Sequence, residues 1–266
     1  MTDGRLSVGV IGAGPVGVIL GQALAGAGHM LVGISAVSEE NIERVEAMLP
    51  EVPLMNPTEI LEIADLVLLA IPDEELIPTV NGLAEAHLWH TGQLVAHTSA
   101  AYGYGALAPA AKQGAIPLAI HPAMRFTGTS VDLAKLRDAY FAVSAPKIAL
   151  PIAQALVIEM GGEPVIVEEE ARGNYAEAFS VASSFSAMIV NQAIGLLEEA
   201  GIENPRGLLA PIVRTSVEQA LADGAGLHAA FDRALAFKGG SGDIVKHAMQ
   251  RRGKELQFHG KGSLWK

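Results

Sequence analysis

Two short segments carry residue types that could take part in the reduction of a carbonyl group. They are H-T-S-A-A-Y-G at positions 97–103 and I-H-P-A-M-R-F-T-G at positions 120–128, and each lies at the end of an apolar run typical of a buried strand. The Ser99 hydroxyl and the His121 imidazole would therefore stand at the carboxyl edge of one sheet. The hydroxyl could stabilise charge forming on a carbonyl oxygen, and an imidazole with a pKa near neutrality could deliver the proton.

The alternative for His121 is a hydrogen-bonded turn residue with no part in chemistry, and its residue type alone does not separate the two. Of the other histidines, His87 and His90 are three positions apart on a predicted helix. Acidic partners are lacking nearby, so we interpret these two as surface residues and predict no metal site.

A glycine-rich segment near the start of the chain predicts a nucleotide site. The sequence G-A-G-P-V-G follows a predicted strand at 6–11 and opens a predicted helix at 16–27, the context that a G-x-G-x-x-G fingerprint requires. Its glycines allow a tight turn and close approach of a pyrophosphate to the helix N-terminus, although a purely structural glycine turn is the alternative. The predicted cofactor-binding residues here are Gly12, Ala13, Gly14, Pro15, Val16 and Gly17.

The end of the second predicted strand favours NADP over NAD. An acidic residue there would hold the ribose hydroxyls of NAD, but no acid precedes Glu39, and we expect Ser35 and Ser38 to contact the cofactor instead. The preference is modest, because the nearest arginine downstream is Arg44. Three further residues at strand ends are predicted to contact the cofactor, with an ordinary turn as the alternative for the first two: Ile71, Pro72 and Thr98.

Short apolar runs alternate with helical patterns through the first part of the chain. This alternation predicts an α/β fold with a doubly wound, mostly parallel sheet of the Rossmann type, covered on both faces by helices. From Arg172 the periodicity is helical throughout, which predicts an all-α second domain. The predicted organisation is a dinucleotide-binding domain at 1–170, a helical domain at 171–250 and a basic, mobile tail at 251–266.

Composition excludes several classes of partner. The chain has 266 residues, 50% of them hydrophobic, and a formal charge of −11, which argues against nucleic acid or an anionic membrane surface. No cysteine is present, so disulfides and thiolate metal sites are excluded. The N-terminus lacks the pattern of a secretory signal, and we expect a cytoplasmic protein. The uncharged stretch 178–197 is interrupted by polar residues, and we interpret it as a buried helix that also forms a homodimer.

Together these motifs resemble a known family. The G-A-G-P-V-G, H-T-S-A-A-Y-G and I-H-P-A-M-R-F-T-G segments and the apolar helical second half are similar, to about residue 250, to NADP oxidoreductases that join a Rossmann-like domain to a C-terminal domain of unknown function. Relatives of that family include 2-dehydropantoate 2-reductases, prephenate dehydrogenases and 3-hydroxyacyl-CoA dehydrogenases, within the superfamily that has a C-terminal domain like that of 6-phosphogluconate dehydrogenase. The resemblance implies catalytic roles for Ser99 and His121.

The resemblance is weaker on the substrate side. Ketopantoate reductases use a lysine near the start of the helical domain, and positions 172–175 hold none; Ser183 and Ser184 stand where the family often has an asparagine. The candidate substrate residues are Arg125, which could pair with a carboxylate, and Ser184 and Asn191, which share a predicted helix face with Ser180.

The sequence leaves three functions open. The leading hypothesis is an NADP-dependent oxidoreductase that acts on the carbonyl of a small, carboxylate-bearing 2-oxo acid such as ketopantoate. An imine reductase resembling pyrroline-5-carboxylate reductase is the enzymatic alternative, because a substrate that arrives protonated needs less from His121. A non-catalytic NADP-binding sensor would keep the same fold without turnover, since fold does not decide function.

Overall fold

The computed structural model describes residues 5–222, and within them seven strands form one sheet. The strands are β1 (Ser7–Ile11), β2 (Met30–Ser35), β3 (Leu66–Leu69), β4 (Leu94–His97), β5 (Ile116–Pro122), β6 (Tyr140–Ser144) and β7 (Glu163–Ile166). All seven coincide with apolar runs that the sequence predicts as strands. The predicted α/β class is therefore confirmed.

Helices connect these strands and then continue without further strands to the end of the described chain. They are α1 (Pro15–Gly26), α2 (Glu39–Met48), α3 (Pro57–Ile63), α4 (Asp73–Glu85), α5 (Ala108–Lys112), α6 (Ser130–Leu136), α7 (Leu150–Glu159), α8 (Arg172–Ser180), α9 (Ser186–Glu199) and α10 (Pro205–Ala222). The sequence analysis did not predict α2, α3 or α6. Of these three, α3 begins with a capping box between Asn56 and Glu59, and α2 begins with an N-cap at Ser38.

The strand order β2-β1-β3-β4-β5-β6-β7 makes the sheet parallel except between β5 and β6. Strand β1 pairs with β2 on one side and β3 on the other, so the chain changes direction across the sheet at β1. A ligand in an open α/β sheet binds at such a switch point, outside the carboxyl ends of the strands. The carboxyl ends of β1 to β5 all meet at this edge.

Apolar side chains fill both faces of the sheet, as a parallel sheet covered on two sides requires. On one face, Val8, Val10 and Leu68 belong to a cluster that includes Leu20 of α1 and Leu156 of α7. The opposite face is covered by a second cluster from α3, α4 and α5, including Ile60, Leu76, Leu107 and Ala110. Two packed faces hold the strand ends rigidly, which is what a site at their edge needs.

The long helical segment from α8 to α9 contains a π turn at Val181–Phe185. A π turn holds more residues than an α turn, so positions after it are rotated relative to those before it. The predicted shared face of Ser180, Ser184 and Asn191 assumes uninterrupted α-helical spacing, and it stays a prediction.

Ile194 is the one buried residue of the stretch 178–197 in the single chain, and the sequence predicts this stretch as a buried helix that also forms a homodimer. Residues Glu169–Glu199 form a helix long and apolar enough to cross a membrane by length and composition, and only 6% of its most apolar window is buried. Its first turns nevertheless pack on the sheet, since Arg172 is only 2% exposed.

Contacts divide the chain after Ser186, later than the domain boundary predicted at residue 170. The helix α8 therefore belongs to the same compact unit as the sheet, although its periodicity resembles that of the helices after it. The predicted helices at 227–237 and 241–250 and the predicted mobile tail lie outside the described residues.

Candidate functional site

The glycine-rich loop between β1 and α1 has the geometry of a nucleotide-binding turn. Gly12 has a φ of +103°, and a Cβ there would collide with the Ala70 carbonyl of the neighbouring strand end. Gly17 packs so closely on the Gly12 carbonyl that it too has no room for a side chain. A Cβ on Gly14, by contrast, would meet no protein atom within 4 Å. The fold explains the first two glycines, and close approach of a ligand explains the third.

A cavity of about 920 Å³ opens beside this loop at the sheet's switch point. Ten of the predicted cofactor residues line it: Gly12, Ala13, Gly14, Pro15, Val16, Ser35, Ser38, Ile71, Pro72 and Thr98. Gly17 does not line the cavity and is buried behind the turn. The N-terminus of α1 faces this loop with Gly14 as N-cap, and no side chain satisfies its first N–H groups. Such a helix end favours an anionic group.

A cationic residue lines the cavity at its β2 end. Arg44 of α2 reaches back along the helix, where its Nη1 donates hydrogen bonds to Asn41 Oδ1 and, at 3.4 Å, to the Ala13 carbonyl. Its Nη2 forms an ion pair with Glu40 at 2.6 Å. Sequence analysis noted Arg44 only as the nearest arginine downstream, because it did not predict the helix that brings the residue back to the strand end.

The two serines at this end hold the local backbone. Ser35 Oγ accepts a hydrogen bond from the Gly12 amide at 3.1 Å, which ties β2 to the glycine loop. Ser38 Oγ caps α2 by accepting from the Asn41 amide. Both serines also line the cavity, together with Arg44. This set of hydroxyls and a guanidinium could hold the 2′-phosphate of NADP, and the one carboxylate that lines the cavity beside it, Glu40, is paired with Arg44.

Ser99 is placed by the buried His97 side chain. His97 Nε2 lies 2.9 Å from the Gly103 carbonyl, and its Nδ1 accepts a hydrogen bond from the Ser99 amide at 3.2 Å. The Nε2 nitrogen therefore carries the proton and donates it to Gly103. Ser99 Oγ accepts from the Ala101 and Tyr102 amides, so it holds the turn while its own proton stays available for donation. The residue is only 6% exposed.

His121 lies near the end of β5, which pairs with β4, the strand that ends just before Thr98. Its side chain contacts Tyr175, a residue far along the chain. Its Nδ1 lies 2.8 Å from the Tyr175 hydroxyl of α8. The imidazole packs edge-on against the rings of Tyr175 and Phe179, with centroid distances of 5.5 and 4.9 Å. The ring is thus half-buried between aromatic side chains, with only one of its nitrogens held by Tyr175. Neither His121 nor Ser99 lines the nucleotide cavity, whose wall on this side is Thr98.

The buried side chain of Arg172 contacts the elements that carry His121 and Tyr175. Arg172 Nε donates to Ser144 Oγ at 2.7 Å, and its Nη2 donates to the carbonyls of Ala119 and Ala142 at 3.2 and 3.1 Å. Ala119 lies two residues before His121 on β5, and Ala142 is the residue of β6 directly opposite His121. The Arg172 guanidinium also lies 5.8 Å from the centre of the Tyr175 ring, a cation–π arrangement. Arg172 therefore fixes both the strand pair and the tyrosine.

Burial and the nearby cation change the titration of this site. Burial, then Arg172 and then His97, lower the pKa of His121 to about 4. Burial also lowers the pKa of the His97 imidazole to about 4. Burial raises the pKa of Tyr175 above its usual value, so this phenol is protonated at neutral pH. The expectation that His121 titrates near neutrality is wrong, because a half-buried imidazole beside a guanidinium resists a second positive charge.

The loop that carries Ser99 and the helix that carries Tyr175 are joined by Glu169. Its Oε1 accepts a hydrogen bond from the Gly105 amide at 2.9 Å. The same carboxylate packs against Gly103, where any Cβ would collide with it. Gly103 also accepts the His97 hydrogen bond, so Glu169 contacts the H-T-S-A-A-Y-G segment, whereas His121 of the second motif contacts Tyr175 within α8.

The predicted substrate residues are not brought to this pair by any contact within residues 5–222. Arg125 is exposed on the loop after β5, and Ser184 is exposed in the π turn. Asn191 is exposed on α9, in the second compact unit. Their roles in substrate binding stay predictions.

Sequence reasoning missed Tyr175, Arg172 and His97 as parts of the site. His97 had a usable signal, because it is the first residue of the H-T-S segment at a strand end. Arg172 and Tyr175 had only a weak one: an arginine and a tyrosine at i and i+3 where the helical region begins. Within residues 5–222, no group of three or more His, Asp or Glu side chains could hold a metal ion.

Comparison with known proteins agrees with this geometry. A search of curated proteins finds no significant match. Among solved structures, a protein from Bacteroides fragilis described as an NADP oxidoreductase is similar with a TM-score of 0.66 and 16% identity, over 95% of this chain and 91% of that one. An imine reductase from Streptomyces aurantiacus gives a TM-score of 0.63 and 20% identity, over 80% and 73% of the two chains. These likenesses establish a shared fold.

A third solved structure is a pyrroline carboxylate reductase from Plasmodium falciparum with NADP bound. It is similar with a TM-score of 0.60 and 12% identity, over 96% of this chain and 93% of that one. In the family comparison, residues 1–122 match the Rossmann-like domain and residues 139–230 match the domain of unknown function DUF2520. The two matches follow the order that the sequence motifs indicate, a Rossmann-like domain first and a domain of unknown function after it.

Proposed function

We propose that this chain is an NADP-dependent oxidoreductase that reduces the carbonyl of a small 2-oxo acid. The observation that carries the proposal is the 2.8 Å contact between His121 Nδ1 and the Tyr175 hydroxyl. His121 lies near the end of β5, and the adjacent strand β4 ends just before Thr98, which lines the nucleotide cavity. Proton-transferring groups and a nucleotide cavity thus occupy neighbouring strand ends. The solved relatives with NADP in their descriptions support the choice of cofactor.

The cavity residues would hold the cofactor by its phosphates. The α1 N-terminus and Gly14 would contact the pyrophosphate, and Ser35, Ser38 and Arg44 would contact the 2′-phosphate. When bound, the reduced nicotinamide supplies a hydride to the carbonyl carbon. The protein must then supply one proton to the oxygen.

We infer that this proton comes from Tyr175, whose hydroxyl lies 2.8 Å from His121 Nδ1. The Tyr175 hydroxyl is protonated at neutral pH and donates its proton to the substrate oxygen, which is the stronger base once the hydride has added. His121 is neutral, so one ring nitrogen carries a proton and the other is free to accept one. Its Nδ1 returns a proton to the phenolate oxygen while Nε2 takes one from solvent. Ser99 would donate a hydrogen bond to the same substrate oxygen.

An imine reductase is the second candidate, and the low pKa of His121 favours it. A protonated imine accepts a hydride without needing a proton from the enzyme, so a neutral His121 would suffice. The buried Arg172 cation close by opposes this reading, because it disfavours a positively charged substrate.

The test combines cofactor titration with a substrate panel. NADPH and NADH are titrated against the protein by fluorescence, and NADPH consumption is then followed with 2-oxo acids and with cyclic imines. We expect tighter binding of NADPH and turnover of a 2-oxo acid that falls at least ~100-fold in His121→Gln. Turnover of imines alone selects the second candidate, binding without turnover selects the sensor, and absence of binding overturns the proposal.

We also propose a homodimer formed by the helical region. Large apolar side chains of α9 and α10 are exposed in the single chain, including Ile189, Leu196, Ile212 and Leu221. Exposed apolar surface of this kind is typical of an interface between subunits. Sedimentation at micromolar protein concentration tests the proposal, and a monomer there contradicts it.

A further inference from the structure

The segment after His121 contacts Arg44 and Pro15, two residues that line the nucleotide cavity. It runs from the end of β5 to α6, and its last residue before Thr129 is the buried Gly128. Gly128 has a φ of +75°, a conformation that favours glycine. A Cβ at this position would lie 2.8 Å from Arg44 Nε and 3.3 Å from Pro15 Cβ. The backbone at Gly128 is therefore pressed against both the arginine and the glycine-rich loop.

A buried carboxylate holds this backbone in place. Asp132, in the first turn of α6, is fully buried and accepts hydrogen bonds from the Thr127 amide at 2.6 Å and the Gly128 amide at 2.8 Å. The Thr127 hydroxyl donates to the same carboxylate at 3.1 Å. Burial raises the pKa of Asp132, but these donors outweigh it and the net pKa is below its usual value. The carboxylate is thus ionised and fully engaged by the segment.

Three parts of the chain contact the Arg44 side chain. Its own helix contributes Glu40 and Asn41, the glycine-rich loop contributes the Ala13 carbonyl, and the third part is the Gly128 backbone. The Arg44 side chain is only 14% exposed, yet it lines the cavity. A guanidinium fixed in one orientation can form paired hydrogen bonds to a phosphate with little loss of side-chain entropy.

We propose that Asp132 and Gly128 are positioning residues that orient Arg44 toward the 2′-phosphate and so set the preference of this chain for NADPH over NADH. The inference rests on the proposed use of NADP. The I-H-P-A-M-R-F-T-G motif would then have two roles, because it contains the proposed catalytic residue His121 near one end and Gly128, which contacts Arg44, at the other.

The experiment compares the two cofactors in matched variants. We expect Asp132→Asn to weaken NADPH binding about tenfold and to leave NADH binding within about twofold of the unchanged protein, because only NADPH carries the group that Arg44 contacts. Asp138→Asn is the control: the same substitution at an exposed position just after the same helix should change neither dissociation constant.

Gly128→Ala supplies the second variant, because it leaves the Asp132 carboxylate intact. Its Cβ would displace Arg44, and we expect the same loss for NADPH alone; if Asp132→Asn fails to fold, this variant decides. Equal weakening of both cofactors, or no change in either, overturns the inference. A protein that binds neither cofactor before any substitution instead overturns the proposed function, so the two failures are distinguishable.

Discussion

The nucleotide cavity and the His121 region use different parts of the chain to build a site. Backbone groups and short side chains of one loop, including Gly12 and Gly14, form much of the wall of the cavity. Around His121, long side chains from separate elements meet: Tyr175 is 54 residues away, and Arg172 contacts two strands. A site made from one loop can be identified from a local motif, whereas a site made by side chains from distant elements requires the fold.

More residues of the cavity than of the His121 region could accordingly be identified from the sequence. The strand, glycine turn and helix around Gly14 are consecutive, so local spacing was enough to select residues 12–16, five of those that line the cavity. Arg44 and Gly128 were missed because their contact depends on how α2 and α6 pack against α1, which no local spacing in the sequence indicates. Tyr175 was missed because only the packing of α8 on the sheet brings it to His121. The pKa of His121 depends on the same packing and could not be anticipated from its residue type.

The sharpest test of the His121 region removes a single oxygen atom. Tyr175→Phe keeps the ring that packs on Phe179 and beneath Arg172, but loses the proposed proton donor. We expect turnover to fall about 100- to 1,000-fold with NADPH affinity unchanged, the range for loss of a general acid. Steady-state kinetics and cofactor titration measure the two quantities.

The control is the double variant with His121→Gln, which should lose little more than either single variant because the two residues act as one unit. If the two losses multiply, the residues act independently and the proposed relay is wrong.

Acid should destabilise the same region. His97 and His121 have pKa values of about 4 in the folded chain, against an ordinary value of 6.5. Between these values the unfolded chain binds more protons, so the free energy of unfolding falls as the pH decreases from 6.5 toward 4. The loss is at most about 3 kcal/mol per histidine. Urea unfolding across this range measures it.

Replacing His97 with glutamine should flatten the acid dependence, although the variant starts from a lower stability because it weakens the turn at Ser99. The exposed His90 serves as the comparison, and His90→Gln should leave the pH profile unchanged. A profile as steep in His97→Gln as in the original chain would contradict the burial argument.

In the nucleotide cavity, the glycines should separate stability from binding. Gly14→Ala adds a methyl group that meets no protein atom, so we expect an unchanged melting temperature and at least ~10-fold weaker binding of NADPH and NADH alike. Gly17→Ala places its methyl group against the Gly12 carbonyl and should lower the melting temperature. Binding that survives Gly14→Ala unchanged would place the pyrophosphate elsewhere.

The smallest effect concerns the ion pair beside Arg44. The Glu40 carboxylate is largely exposed and competes with a phosphate for the guanidinium. Glu40→Gln should therefore tighten NADPH binding about threefold at low salt, with a smaller gain at high salt and none for NADH. Glu46→Gln, an exposed site on the same helix, is the control. Weaker NADPH binding in Glu40→Gln would show that the ion pair helps to orient Arg44.

The Glu169 carboxylate limits how this protein can be recombined with its relatives. It bonds to Gly105 and leaves no room for a side chain at Gly103, so the turn after β4 and the first turns of α8 fit each other as a pair. A chimera that imports the turn from another member while retaining the native α8 would force a foreign side chain against Glu169. Substrate range should therefore be exchanged between homologues by grafting both segments together.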